Sequence, residues 1–227
     1  MSKAMSFDLK QLAIECNVES PENFIVMCDR LELLLQSTNQ HTNLTRICDH
    51  NDFIYKHVAD SLLITKYFPA LTTLSLEVAD IGCGAGFPSL ILAIAYPNLQ
   101  ITAIDSNQKK CAFVSATATE LGLDNLHVVA GRARELNRQA QWQEKFAIIT
   151  ARAVAEASTI FRETKNMLAS TGQFIFYKTP QQVEGDLPML EKNSAKYNFS
   201  WATTEIYPLP EDVGRRQFIY SLNRSTQ

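Results

Sequence analysis

An apolar run, Val78-Ala79-Asp80-Ile81, stops at three glycines spaced by two, Gly82, Gly84 and Gly86, and Phe87-Pro88 follow at once. Such a segment folds as a strand, a tight turn and a helix. Glycine is needed in the turn because a Cβ would forbid the bend and hold a ligand off the backbone. Pro88 suits the first turn of a helix over roughly Pro88 to Ala95, where its missing N–H wastes no donor and the first amides face the same opening. An ordinary strand-to-helix turn would also account for clustered glycines. Asp105 weighs against that plainer reading: it ends the next apolar strand, Gln100 to Asp105, and 105 − 86 places it 19 residues beyond the last glycine. A carboxylate there reaches the two hydroxyls of an adenosine ribose. Together the loop and the acid describe a nucleotide-type cofactor pocket without choosing the nucleotide.

With 227 residues and 46% hydrophobic content, the chain can bury one large α/β core. Residues 1–70 read as an N-terminal helical extension and 71–227 as the main domain, the two forming one unit. No apolar run approaches the roughly 20 residues that cross a bilayer, and Met1 to Leu12 lacks a signal peptide's hydrophobic stretch, so a cytoplasmic protein is expected. Cys16, Cys28, Cys48, Cys83 and Cys111 contain no C-x-x-C pair and read as reduced, mostly buried side chains. His41, His50 and His127 show no ligand spacing, and no metal is expected. The net charge of -3 hides a bias: residues 1–130 hold 8 Lys/Arg against 14 Asp/Glu, whereas 131–170 hold 7 against 4. A solvated helical face would explain that run equally well. Arg132, Arg134, Arg138 and Arg152 instead lie near predicted strand ends, which suggests a basic rim suited to phosphates.

Spacings of three and four predict a helix after Ser20-Pro21 with Phe24, Met27, Leu31, Leu34 and Leu35 on one stripe, and another from Asp52 to Lys66 that Pro69 stops. Beyond, predicted strands (77–81, 101–105, 127–130, 146–150 and 173–178) alternate with helices (88–95, 108–121 and 154–168). That alternation implies right-handed crossovers and a parallel sheet covered on both faces, with ligands beyond the strands' carboxyl ends. Ser200 to Tyr207 and Gln217 to Leu222 read as a terminal antiparallel hairpin at the sheet edge. The expected class is therefore α/β: a Rossmann-like, seven-stranded, mostly parallel sheet with a C-terminal antiparallel hairpin and an N-terminal helical extension. Both this hairpin and the G-x-G-x-G spacing resemble S-adenosylmethionine (SAM)-dependent methyltransferases. They differ from the G-x-G-x-x-G of dinucleotide enzymes.

Several separated pieces then match one family. They are Asn43-Leu44-Thr45, His57-Val58-Ala59-Asp60-Ser61, Asp80 through Pro88, Asp105-Ser106 with Lys109-Lys110, Gly131-Arg132-Ala133, Ala151-Arg152-Ala153, and Lys178 with Glu184. The chain resembles the bacterial small-subunit (16S) rRNA guanine-N7 methyltransferases, also called glucose-inhibited division protein B. The resemblance implies a SAM pocket in which Gly82, Gly84 and Phe87 line the methionine and ribose side, Asp105 holds the ribose, Ala133 and Arg134 border the adenine, and Arg152 sits beside the methyl donor as the catalytic candidate. It further implies Asn43, His57, Asp60, Ser61 and Lys178 as substrate-binding residues, with 16S rRNA or the small ribosomal subunit as partner of a monomer. The family's usual residues differ at Cys83 (Ser or Thr), Ser89 (Gly), Arg134 (Glu) and Thr179 (Gly). The change at Arg134 reverses a charge, and a guanidinium cannot accept a hydrogen bond from an adenine amino group.

Guanine N7 carries an available lone pair, so its methylation needs no general base and the lack of a convincing Asp-His or Cys-His pair is consistent with it. An unpaired guanine stacked on an aromatic or arginine plane is expected, with Phe87 and Arg152 as candidates. His57 is equally readable as a structural histidine, Asp60-Ser61 as a helix brace, and Lys178 as a strand-end lysine. Asp80 is expected to organise the glycine loop. A small-molecule methyltransferase, a non-catalytic SAM- or RNA-binding module and an NAD oxidoreductase are the competing functions, the last disfavoured by glycine spacing and the terminal hairpin.

Overall fold

The alternating apolar runs pair as five parallel strands, β1 (Glu77–Ile81), β2 (Gln100–Asp105), β3 (Leu126–Ala130), β4 (Phe146–Arg152) and β5 (Leu168–Lys178). The computed structural model describes residues 7–42, 44–45 and 49–222. Three further strands follow, β6 (Trp201–Thr203), β7 (Tyr207–Pro208) and β8 (Arg215–Ser221). The sheet runs β3-β2-β1-β4-β5-β8-β6, with β7 paired to β8 off this path. β8 runs antiparallel to both β5 and β6, so the terminal hairpin slots its second strand inside its first. The order reverses between β1 and β4, which opens a crevice at their carboxyl ends.

The helices are α1 (Leu9–Glu15), α2 (Pro21–Thr42), α3 (His50–Asp52), α4 (Asp60–Leu62), α5 (Ile64–Tyr67), α6 (Ala70–Thr73), α7 (Ser89–Ala95), α8 (Gln108–Leu121), α9 (Ala133–Leu136), α10 (Ala157–Thr164) and α11 (Pro180–Ser194). Strand side chains alternate between two buried layers, as a doubly covered parallel sheet requires. Val78, Ile101, Ala103 and Ile148 join a core that also holds Leu12, Phe24, Leu31, Val58 and Leu62, so the N-terminal helices share one hydrophobic cluster with that sheet face. Ala79, Ile81, Ile149 and Phe174 face the other layer, with Ile160, Phe161, Val183 and Leu190 of α10 and α11.

Four local readings differ from the sequence expectation. The run Ser200 to Tyr207 is two short strands, β6 and β7, and not one, so the sheet has eight strands where seven were expected. The single helix expected over Asp52 to Lys66 is broken: α3 passes into a π-helical segment, Phe53–Ala59, and then into α4 and α5. Residues 57–65 are buried without a break, so this segment has no solvent face and an amphipathic period could not describe it. The helix expected over 154–168 is only α10, because Met167 and Leu168 leave it to pair with Phe146 and extend β5. α11 was not expected, since Gly185 and Pro188 hid it. Its start was nonetheless legible in Thr179-Pro180-Gln181-Gln182, which forms a capping box with proline in the first turn.

Candidate active site

Three glycines shape the loop after β1. Gly82, Gly84 and Gly86 all take positive φ (+69°, +57° and +91°). A Cβ on Gly86 would come within 2.4 Å of the fully buried Leu90 side chain, so backbone strain and packing both demand glycine. The Gly82 and Cys83 amides donate to the Ile104 carbonyl at 2.7 and 3.1 Å, tying the loop to β2. Asp105, at the end of β2, closes the arrangement: Oδ2 accepts from the Gly84 amide at 2.9 Å and Oδ1 from the Asn107 amide at 2.8 Å. Each carboxylate oxygen has capacity for a further donor.

Above this loop lies a cavity of about 670 Å3 at the crevice between β1 and β4, within the range of small-molecule and cofactor sites. Its walls include Gly82, Gly84, Phe87, Asp105, Ala133, Arg134 and Arg152, together with His57 and Thr45. The residues fit an adenosyl group, with a half-buried carboxylate holding spare acceptor capacity beside Gly84, where an added Cβ would meet nothing closer than the Gly82 carbonyl oxygen at 3.9 Å. Arg134 is 53% exposed at the rim, with Nε 3.9 Å from Glu135 Oε1.

The expected substrate residues part company here. His57 lines the cavity, whereas Asp60 and Ser61 are fully buried and Lys178 nearly so, and none of those three lines it. Asn43 lies outside the described residues. Arg152 explains the grouping. Its Nε donates to the Phe87 carbonyl (3.3 Å), Nη1 to the Lys56 carbonyl (2.7 Å) and Asp60 Oδ2 (3.0 Å), and Nη2 to His57 Nδ1 (3.0 Å). Four of five N–H donors are thereby engaged within the protein. A guanidinium only donates, so His57 Nδ1 must be the acceptor and the imidazole carries its proton on Nε2, 3.4 Å from Thr45 Oγ1. Burial and the adjacent Arg152 charge push the His57 pKa well below its usual value, which keeps the ring neutral.

Phe87 is 4% exposed, and its ring stacks on His57 at 3.9 Å with planes 9° apart. The structure therefore corrects its expected role as an open platform for a base: the ring already has an aromatic partner. Lys178, expected either at substrate or as a plain strand-end lysine, is engaged within the protein. Its Nζ binds Asp186 Oδ2 at 2.6 Å and the Ala155 carbonyl at 2.9 Å, while Asp186 Oδ2 accepts from the Ala157 amide at the start of α10 at 3.1 Å. This anchors the segment between β4 and α10, where Ala153 takes φ +55° and Val154, 46% exposed, forms part of the cavity wall. Val154 and Glu163 were missed as wall residues because the expected helix over 154–168 placed them on a regular surface.

Asp80 is buried beneath the loop, where it accepts from the Ser89 hydroxyl through Oδ2, while among the described residues Oδ1 has no hydrogen-bond partner. Burial raises its pKa from 3.8 to about 6. Between those values the unfolded chain releases this proton while the native state keeps it, so its contribution to stability falls as pH rises and stays low above about 6. The difference corresponds to about 3 kcal/mol at most. Asp80→Asn should therefore be more stable than wild type above pH 6, with an advantage that grows across the window and then levels. His57 acts in the opposite sense, weakening the native state as pH falls below about 6.5, but it is common to both proteins and cancels from the difference. Urea unfolding of both proteins across this range tests the assignment, and a pH-independent difference would refute it.

Among the described residues no group of three or more His, Cys, Asp or Glu could hold a metal ion, and no helix is long and apolar enough to cross a membrane. The fold is that of SAM-dependent methyltransferases. A protein of that description from Aquifex aeolicus superposes with a TM-score of 0.55 at 15% identity, covering 76% of this chain and 93% of its own. The YcgJ protein of Bacillus subtilis gives 0.57 at 17%, covering 74% and 100%. Among sequence relatives, the ribosomal RNA small subunit methyltransferase G of Staphylococcus aureus is 34% identical over 218 residues, 93% of this chain and 87% of that protein. Its namesake from Limosilactobacillus reuteri is 39% identical over 160 residues, 70% of this chain and 66% of the relative, so the match spans just under two thirds of that protein's length. A family model described as rRNA small subunit methyltransferase G matches residues 27–207, which include the glycine loop, Asp105 and the His57–Arg152 cluster. With that match and the coverage of the Staphylococcus relative, the chain belongs to the rRNA small subunit methyltransferase G family.

Proposed function

We propose that this protein transfers the methyl group of SAM to N7 of a guanine in the 16S RNA of the small ribosomal subunit. The observation that carries the reading is Asp105 closing the glycine loop at a cofactor-sized cavity, in a chain of this family. Bound there, SAM supplies a methyl group activated by its sulfonium. Asp105 would hold the ribose hydroxyls, Gly82, Gly84 and Phe87 the methionine and ribose side, and Ala133 with the backbone around Arg134 the adenine edge.

The chemistry asked of the chain is modest. Guanine N7 presents a lone pair without losing a proton. The imidazole that lines the cavity is suited to that task and unsuited to base catalysis, because its Nδ1 lone pair is held by Arg152 and its Nε2 bears the proton. What remains is positioning. Holding the acceptor nitrogen in line at attack distance supplies up to about 7–11 kcal/mol. Arg152 acts as the organiser at the cavity wall, fixing His57 and the Phe87 carbonyl, with one N–H left for substrate. Asp60 and Ser61 act one step behind it, and Lys178 through the 153–156 segment; Asn43 is retained as a substrate contact on the family resemblance. The protein is read as a cytoplasmic monomer whose reaction needs no resident metal.

Incubation with labelled SAM and small ribosomal subunits lacking endogenous modification, followed by cleavage at 7-methylguanosine, is the direct test. A single labelled guanine in 16S RNA is expected. Label on a metabolite, a protein or another base position would overturn the reading.

A further inference from the structure

Beside the cofactor cavity, where α9 meets α10, a second hollow of about 310 Å3 is lined by Arg134, Arg138 and Arg162 with Asn137 and Glu163. Arg134 and Glu163 line both spaces, so the hollow adjoins the cavity through a shared wall. All three arginines are exposed. Among the described residues, the one ion-pair approach to Arg134 is that of Glu135, at 3.9 Å. Among the described residues, neither Arg138 nor Arg162 has a carboxylate within ion-pair distance, and the Arg162 side chain makes one 3.4 Å bond to Thr159.

Three guanidiniums against two carboxylates, Glu163 in the lining and Glu135 beside Arg134, leave a local surplus of one positive charge in a chain whose net charge is -3. Arg134 and Arg138 are four residues apart at α9 and just beyond it, a spacing at which like charges repel on a helix. A merely solvated surface gains nothing from adding Arg162 of a second helix to that pair. An anion converts the repulsion into binding. The planar, fork-shaped guanidinium matches phosphate oxygens two at a time.

We propose that this groove holds a backbone phosphate of the substrate RNA, gripped by Arg138 and Arg162 with Arg134 at the cavity rim. The inference rests on the RNA reading above and adds to it the place where the strand leaves the cavity on the adenine side. An extended polyanion fits better than a free anion because the groove adjoins the cavity at Arg134 and Glu163, and its donors are exposed side chains. A dedicated small-anion site is typically a concave nest of backbone amides. Arg132, exposed on the same rim, offers the neighbouring phosphate a further partner.

The test is the double variant Arg138→Ala with Arg162→Ala, since neither residue lines the cofactor cavity. Fluorescence anisotropy with a labelled single-stranded RNA fragment of the small subunit is measured across a range of salt concentrations. Affinity should fall about ten-fold at low salt, and the slope of log K against log salt should shrink by about 1 to 1.5, as expected for two lost single-strand phosphate contacts. S-adenosylhomocysteine binding by calorimetry should stay within about two-fold. An unchanged affinity and slope, with the wild type binding RNA, would overturn the arginine site alone. A wild type that binds no RNA would overturn the RNA reading and this inference with it. Heat on titrating inorganic phosphate that the variant loses, while its RNA slope stays at the wild-type value, would assign the groove to a free anion and also refute the proposal.

Discussion

Replacing Asp60 with alanine is expected to lower the unfolding free energy by about 3–5 kcal/mol, the largest loss from any single site discussed. The Asp60 carboxylate has no exposed surface, yet it meets two cations: Arg152 Nη1 at 3.0 Å from Oδ2, and Arg216 Nε at 3.0 Å from Oδ1 and 3.2 Å from Oδ2. Those arginines come from β4 and β8, on either side of β5, and their side chains are only 13% and 23% exposed. Removing the carboxylate leaves two poorly solvated like charges facing each other, and that penalty, more than the loss of an attraction, sets the magnitude. A drop in Tm of roughly 10 °C should accompany it. Adding Arg216→Met to Asp60→Ala should recover part of the loss, because one stranded charge goes with it. A single-variant loss below about 1 kcal/mol in urea unfolding would refute the buried-pair account. Arg152 would also be freed from the geometry that orients His57, so SAM-dependent activity should fall even at temperatures where the variant remains folded.

Asp105→Ala should weaken SAM binding by about 100-fold or more while altering stability little. Two ribose hydroxyls donating to an ionised carboxylate contribute about 1.5–3 kcal/mol each, and the Gly84 amide loses the acceptor that shapes the loop. Asp105 is half-buried at a strand end and is not fixed in the core, so the fold should survive. Asp105→Asn should lose nearly as much, because one backbone amide, at Gly84 or Asn107, would then face an NH2 group. Calorimetric titration with SAM, alongside thermal unfolding without ligand, separates the two effects. A variant that binds SAM within a few-fold of wild type would remove Asp105 from the pocket, and one that fails to fold would show the residue to be chiefly structural.

The glycine loop and the acid that closes it at the cavity were legible in the chain because their determinants are local. A positive-φ turn needs glycine wherever it occurs, and a strand-end acid about 20 residues later lands beside it by the geometry of one strand-helix-strand unit. The parallel core of the sheet and the terminal hairpin followed for the same reason, since hydrophobic period and connection length specify them. His57, Asp60 and Lys178 could be picked out but not assigned a task, because their partners lie 95, 92 and 8 residues away in sequence at Arg152, Arg152 and Asp186. Which side chain meets which, in which tautomer, and with how much water is decided only when the π-helical segment packs across β4 and β8. The covering of Phe87 by His57, the missed α11 and the arginine groove between α9 and α10 belong to the same class. Each depends on desolvation and on contacts between distant segments, quantities that residue spacing does not contain.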